Sequence, residues 1–297
     1  MRIPKGGIGF FDSGIGGLTV LAACKKYFKE GIFYYYGDNE HAPYGNLSPE
    51  KIKCYVHKIF NIFSRLRVRA VVIACNTVTA VCIEELRKKY PFPIIGAEPA
   101  INTAASHGGE VLALVTRATY ESERFRRLCE RAQKNFPESK LRPVACDDLA
   151  GEIERNLIVG SFDCRPFLPE GRADAVVLGC THYVYVKEDI HKHYGCEVFD
   201  GNEGIARRLF TALTENQEKS RDGQPPVEKS RDVLGFLTTQ NCVLKKAKQR
   251  ILKANKCSLL KQRKVLKNQG KLRIYFLGKS RENNKKIYKQ TYVCEDL

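Results

Sequence analysis

Short apolar, β-branched runs alternate along the chain with stretches whose apolar residues recur every three to four positions. The runs fall at 7–11, 32–36, 70–74 and 93–97, then again at 111–115, 142–145, 175–178 and 197–199. Runs this short and continuous read as strands buried on both faces, the pattern of parallel sheet. The stretches between them, such as 18–28, 49–64, 79–89 and 121–135, read as amphipathic helices. Strands alternating with helices imply parallel βαβ units. Two series of four strands predict an α/β protein of two similar parallel-sheet domains, with a boundary near Glu98-Pro99. The stretch 215–232 is polar, contains proline and repeats Glu-Lys-Ser-Arg-Asp at 218–222 and 228–232, so it reads as an exposed loop or linker. One more strand is expected at 233–239.

Two of the runs are nearly the same text. Ala70-Val71-Val72-Ile73-Ala74-Cys75-Asn76-Thr77 and Ala175-Val176-Val177-Leu178-Gly179-Cys180-Thr181-His182 each end in cysteine and then turn polar. Open α/β sheets bind ligands at the carboxyl ends of their strands, which is where both thiols fall. A helix is expected after each thiol. Helix N-termini offer unpaired N–H groups and partial positive charge, an environment that holds a carboxylate and lowers a thiol's pKa. Two facing thiols suit a reaction that carries a proton from one face of a carbon to the other. The competing reading is a pair of cysteines merely buried at strand ends.

Two further loops follow strands. Phe11-Asp12-Ser13-Gly14-Ile15-Gly16-Gly17-Leu18 invites a dinucleotide reading but fails it. The sixth position of a Gly-x-Gly-x-x-Gly match beginning at Gly14 is Thr19, and Asp12 places negative charge where a pyrophosphate would sit. The glycines instead let backbone approach a small ligand with Asp12 and Ser13 aimed at it, or simply make a tight turn. Gly37-Asp38-Asn39-Glu40-His41-Ala42-Pro43-Tyr44-Gly45 offers a phenol at Tyr44 and, just beyond, the Asn46 amide; alone, it reads equally as an ordinary surface turn.

Composition narrows the class. The chain's 297 residues suffice for two domains, and a 43% hydrophobic share is ordinary for a soluble globular protein. No run approaches the roughly 18 apolar residues of a membrane span. The N-terminal stretch lacks the apolar core of a signal peptide, so a cytoplasmic location is expected. The 12 cysteines are then expected to be reduced thiols, and Cys24, Cys54, Cys82 and Cys129, in helix-like stretches, are expected to pack as small apolar residues. No Cys-x-x-Cys pair occurs, and His191 and His193 read as solvated helix surface, so no metal is expected.

The net charge of +17 is uneven: from Lys253 onward, thirteen basic residues against three acidic ones leave +10. A basic tail of this kind can bind nucleic acid or an anionic surface. It carries aromatics (Tyr275, Phe276, Tyr288, Tyr292) but no RNA-binding signature.

Taken together, four segments resemble the glutamate racemases of the aspartate/glutamate racemase superfamily. They are Phe11 through Leu18, Ala42-Pro43-Tyr44-Gly45, Ala74-Cys75-Asn76-Thr77-Val78-Thr79-Ala80 and Leu178-Gly179-Cys180-Thr181-His182-Tyr183. Leu114-Val115-Thr116-Arg117-Ala118-Thr119-Tyr120-Glu121-Ser122 is a weaker match. The resemblance runs over about residues 6–252. It implies two α/β domains with the active site between them, no cofactor, and a two-base interconversion of L- and D-glutamate that supplies peptidoglycan. Cys75 and Cys180 would be base and acid on opposite faces of Cα, assisted by Asp12 and His182. Asp12, Ser13, Tyr44, Gly45, Asn76, Thr77, Thr119, Thr181 and His182 would hold the substrate. No lysine sits in a motif suited to a Schiff base. Glutamate would be the small-molecule partner, and a homodimer is compatible.

On this division, residues 1–98 with 206–252 form the first domain, 99–205 the second, and 253–297 a basic extension. Aspartate racemases of the superfamily usually carry Glu after the second Cys-Thr, where this chain has His182, so glutamate is favoured over aspartate. Glu152 is assigned no role. A reading from a different class is a basic-tailed regulatory or nucleic-acid-binding protein on a racemase-like scaffold.

Overall fold

The computed structural model describes residues 6–28, 32–156 and 162–219, together with strand segments at 235–238, 273–276, 279–280, 287–288 and 291–293. Strands β1 (Ile8–Asp12), β2 (Phe33–Gly37), β3 (Ala70–Ile73) and β4 (Ile94–Gly96) form a parallel sheet in the order β2-β1-β3-β4. Strands β5 (Gly109–Val115), β6 (Ser139–Ala145), β7 (Ala175–Gly179) and β8 (Glu197–Phe199) form a second parallel sheet in the order β6-β5-β7-β8. All eight expected strands are present. Both β5 and β6 begin earlier than their apolar runs, because Gly109 pairs with Ser139 and Glu110 with Lys140 along the polar, partly exposed start of the ladder.

Alternation along each strand sends residues to two separate cores. From the first sheet, Phe11, Tyr34, Val71 and Ile73 meet α2 (Pro49–Arg65) and α3 (Asn76–Lys89). Ile8, Phe10, Phe33 and Val72 meet α1 (Leu18–Lys25) and α9 (Asn202–Lys219) on the other face. The second sheet has the same build. Leu112, Leu114, Val176 and Leu178 meet α7 (Leu149–Asn156) and α8 (Lys187–Tyr194), while Val111, Ala113, Val115 and Val177 meet α4 (Ile101–Ala105) and α6 (Glu123–Asn135). A short helix, α5 (Arg117–Tyr120), follows β5.

The helices form where the pattern says they should. In α2, Ser48 caps the first turn by accepting from Lys51 N–H, Pro49 opens the helix, and Ile52, Val56, Ile59, Phe60 and Phe63 make the buried stripe. Helix α9 returns the chain to the first sheet, where Ile205, Ala206, Leu209 and Leu213 join its core.

Three expectations change. Residues 215–219 are the last turn of α9, not loop; residues 220–232 lie outside the described ones. Helix α1 ends at Lys25 rather than at 28. Cys54 lies on the exposed face of α2 and is no packing residue, whereas Cys24 and Cys82 are buried and Cys129 is partly so.

The expected ninth strand is present as β9 (Gly235–Thr238), parallel to β2 at Tyr36 and Gly37. The basic extension supplies β10 (Arg273–Phe276), β11 (Lys279–Ser280), β12 (Ile287–Tyr288) and β13 (Thr291–Val293). Of these, β10 runs parallel to β2 at Tyr34 and Tyr35 and carries β13 on its outer side. The extension thus adds strands to the first sheet.

Candidate active site

The carboxyl ends of the two sheets face each other, and bonds cross between them. Thr181 after β7 donates to Asp12 Oδ1 at the end of β1 (3.2 Å), and Thr77 Oγ1 lies 2.9 Å from Thr116 Oγ1 at the end of β5. Tyr185 donates to the Ile15 carbonyl at 2.9 Å, and Asn46 to that of Asp147 at 3.2 Å. Glycine permits this approach. A Cβ on Gly16 would sit 2.4 Å from Thr181 Oγ1, and one on Gly14 would sit 3.0 Å from His182 Nε2.

Both thiols border this interface, and both are buried. Cys75 caps α3, and its sulfur lies 3.6 Å from Ser13 Oγ. Cys180 precedes a 3-10 turn, Thr181–Val186, and only then α8, so no α-helix follows it directly. Its sulfur lies 3.7 Å from His182 Nδ1. Asp12 is fully buried, accepts from Gly14 N–H at 3.1 Å and connects Cys75's neighbourhood to Thr181.

The expected lowering of thiol pKa does not hold for Cys75. Burial, with the Asp12 charge beside it, pushes the thiol up to about 12 against the Val78 N–H and the Ser13 hydroxyl. Desolvation of the thiolate outweighs one helix terminus. Burial also raises the Asp12 carboxyl, partly offset by His182 and by the Gly14 and Gly17 N–H groups. For His182, burial alone would disfavour the cation. The Glu154 carboxylate and the Cys180 side chain outweigh it and hold the imidazolium well above the usual histidine range.

Glu154 was not singled out from the sequence. It lies on α7 and pairs with His182 Nε2, so the chain Glu154–His182–Cys180 mirrors a base with its orienting group. Glu152, two residues earlier, is half-buried and pairs with Arg155 and Asn156 instead. Thr116 is the other addition: it bonds Thr77 across the interface and Thr119 within its own helix turn at 3.0 Å.

The remaining predicted residues divide. Ser13, Asn76, Thr77, Thr119, Thr181 and His182 are all buried at this junction. The Asn76 side-chain oxygen has no partner among the described residues, and Asn76 and Cys180 line one small cavity with Ala97 and Asp200. An unpaired amide oxygen there suits an ammonium group. Gly45 presses on Thr116, where a Cβ would come within 2.9 Å of that side chain. The Tyr44 phenol is already engaged with Asp38 at 2.5 Å, so Tyr44 is tied into the protein. Among the described residues, no group of three His, Cys, Asp or Glu is placed to hold a metal, and no helix is long and apolar enough to cross a membrane.

The family described as Asp/Glu/Hydantoin racemase matches residues 19–209. A glutamate racemase of Clostridium perfringens (strain ATCC 13124) is 36% identical over 225 residues, covering 72% of this chain and 85% of its own. One of Clostridium botulinum (strain Langeland) is 32% identical over 245 residues, covering 78% and 94%. Among solved structures, Escherichia coli glutamate racemase in complex with L-glutamate and the activator UDP-MurNAc-ala gives a TM-score of 0.68 at 26% identity, covering 84% of this chain and 95% of that one. Matches over this much of the sequence, on a fold that brings both cysteine loops together, mean that the chain belongs to the Asp/Glu/Hydantoin racemase family, with the glutamate racemases.

Proposed function

We propose that the protein interconverts L- and D-glutamate without an added cofactor, by passing the Cα proton between Cys75 and Cys180, and that the D-glutamate formed serves peptidoglycan. The observation that carries this reading is the pair of thiols at matching strand ends: Cys75 meets Ser13, and Asp12, next to Ser13 in the chain, accepts from Thr181, next to Cys180. In one direction one thiolate removes the proton from Cα and the other thiol delivers a proton to the opposite face. In the other direction the roles exchange. Charge that develops at the carboxylate is met by fixed N–H and hydroxyl dipoles in a dry site. His182, protonated beside Cys180, stabilises that thiolate. A reducing cytoplasm keeps both thiols free.

The test is circular dichroism of L-glutamate incubated with the purified protein, run beside L-aspartate. The dichroic signal of glutamate is expected to decay to zero without additives, and dialysis against a chelator or addition of a carbonyl-trapping reagent is expected to leave the rate unchanged. A stable signal, or decay only with added metal or pyridoxal phosphate, refutes the reading. Faster decay for aspartate would reassign the substrate.

Closeness of the two domains is open to a direct check. Gly16→Ala places a methyl against Thr181 and His182 across the interface. It is expected to lower kcat/KM by about 10²-fold, because misplacement of reacting groups by about 1 Å costs that much. Unchanged kinetics would show that the loops need not approach so closely.

A further inference from the structure

Asp38 is a buried carboxylate that proton transfer leaves unused. It follows β2 directly and is 4% exposed. Its N–H donates to the Asp12 carbonyl at 3.1 Å, which ties the end of β2 to the end of β1. Its side chain accepts from the Tyr44 hydroxyl at 2.5 Å and from His41 Nδ1 at 2.9 and 3.0 Å. Its carbonyl accepts from the His41 N–H at 3.1 Å. His41 stacks on Tyr55 of α2 with ring centroids 3.9 Å apart. A carboxylate withdrawn from water is retained only where donors meet it, and removing one partner leaves the others exposed to that cost. Among the described residues, both side-chain donors, His41 and Tyr44, come from the turn that carries residues 42–45. The far end of that turn, Gly45, lies against Thr116 of the second sheet, and Thr116 in turn bonds Thr77 and Thr119. The turn is therefore held on one side by a buried charge in the first domain and pressed on the other against the threonines at the junction.

We propose that Asp38 is a positioning residue for glutamate: through Tyr44 and His41 it sets the turn 42–45 at the height where it meets the substrate beside Thr116. The inference rests on the racemase reading and deepens it. Contacts from such a turn reach parts of glutamate that change little as Cα loses its proton. Their loss weakens ground state and transition state alike, which raises KM and spares kcat.

The experiment measures KM and kcat for both enantiomers, and D-glutamate affinity by calorimetry, for wild type, Asp38→Ala, Asp38→Asn and Tyr44→Phe. Asp38→Ala is expected to raise KM and Kd by about tenfold or more with kcat within about threefold. Asp38→Asn, which keeps an acceptor for the phenol, recovers part of the loss. Tyr44→Phe raises KM by a smaller factor, and the Asp38→Asn effect shrinks in its background because the two residues share one bond. Unchanged KM and Kd in folded Asp38→Ala overturn the proposal. So does a fall in kcat equal to the fall in kcat/KM, which would place Asp38 in the chemistry itself. Should Asp38→Ala fail to fold, Asp38→Asn and Tyr44→Phe decide, and strict additivity between them overturns it. A wild-type chain that neither turns over nor binds glutamate overturns the racemase reading and this inference with it. An active wild type with indifferent variants overturns this inference alone.

Discussion

Cys75→Ala and Cys180→Ala are each expected to cut racemisation by about 10³-fold or more, within the range that positioned acid–base groups supply. The loss falls on both directions in either variant. The enantiomers have equal free energy, so the reaction's equilibrium lies at equal concentrations, and kcat/KM for the two directions must fall together. Separate forward and reverse rates therefore cannot tell the two thiols apart; isotope exchange can. In deuterium oxide the thiol that remains can still remove the Cα proton on its own face and return a deuteron there. Each variant should label one enantiomer with retention, and the two variants should label opposite enantiomers. The measurement is proton NMR of the Cα signal for L- and D-glutamate with each variant. Labelling of the same enantiomer by both variants, or near-normal racemisation by either, sinks the two-thiol scheme. Cys24→Ala serves as the control, since that thiol is buried between α1 and the first sheet, in a separate core. It is expected to lower stability as a core truncation while leaving the kinetic constants unchanged.

The strands and the two thiols were legible in the sequence for one shared reason. A strand covered by helices on both faces must be apolar at consecutive positions, so 70–74 and 175–178 stand out from their surroundings, and the cysteine that ends each is marked by the change to polar residues. The state of those thiols was not legible. A local rule, helix start lowers thiol pKa, met a tertiary fact, complete burial beside Asp12, and burial prevailed for Cys75. Asp38 was hidden because a turn's sequence does not reveal whether its acid is in water or beneath the loop. The basic extension was hard to read because its apolar patches are short and separated by charge. The pairing of β10 with β2 is a long-range contact that no local pattern encodes.

Glu154 was missed for a different reason. On α7 the buried residues are Leu149, Ala150, Gly151 and Ile153, and Glu154 sits four positions after Ala150, at the rim of that stripe. An acid at the edge of an apolar face is ordinary snorkelling until the partner is known, and His182 is 28 residues away. The stripe itself was a usable signal: it separates Glu154 from Glu152, which pairs with Arg155 instead.

Glu154→Gln is expected to lower kcat/KM by about 10²-fold and to move the pH profile. In the wild type this carboxylate, together with the Cys180 side chain, overcomes burial and keeps His182 protonated well above its usual range. With glutamine in its place, only the Cys180 side chain opposes burial and the imidazole titrates lower. The sign for activity follows. If the working form needs a proton on His182 to stabilise the Cys180 thiolate, activity is lost as pH rises through the His182 value. The alkaline limb should therefore move to lower pH in the variant.

The sign for stability is the same. A histidine whose folded value is raised contributes stability that is fully present below the unfolded value of about 6.5 and fades as pH rises through the folded one. The stability gap between wild type and Glu154→Gln should thus be largest near pH 6 and close at high pH, as read by denaturant midpoints across that range. Glu152→Gln, on the same helix but paired with Arg155 and Asn156 rather than with His182, is expected to shift neither the limb nor the gap. A Glu154→Gln enzyme with an unmoved alkaline limb and near-normal turnover would show that His182 does not depend on Glu154 for its charge, and that Cys180 is activated by another group.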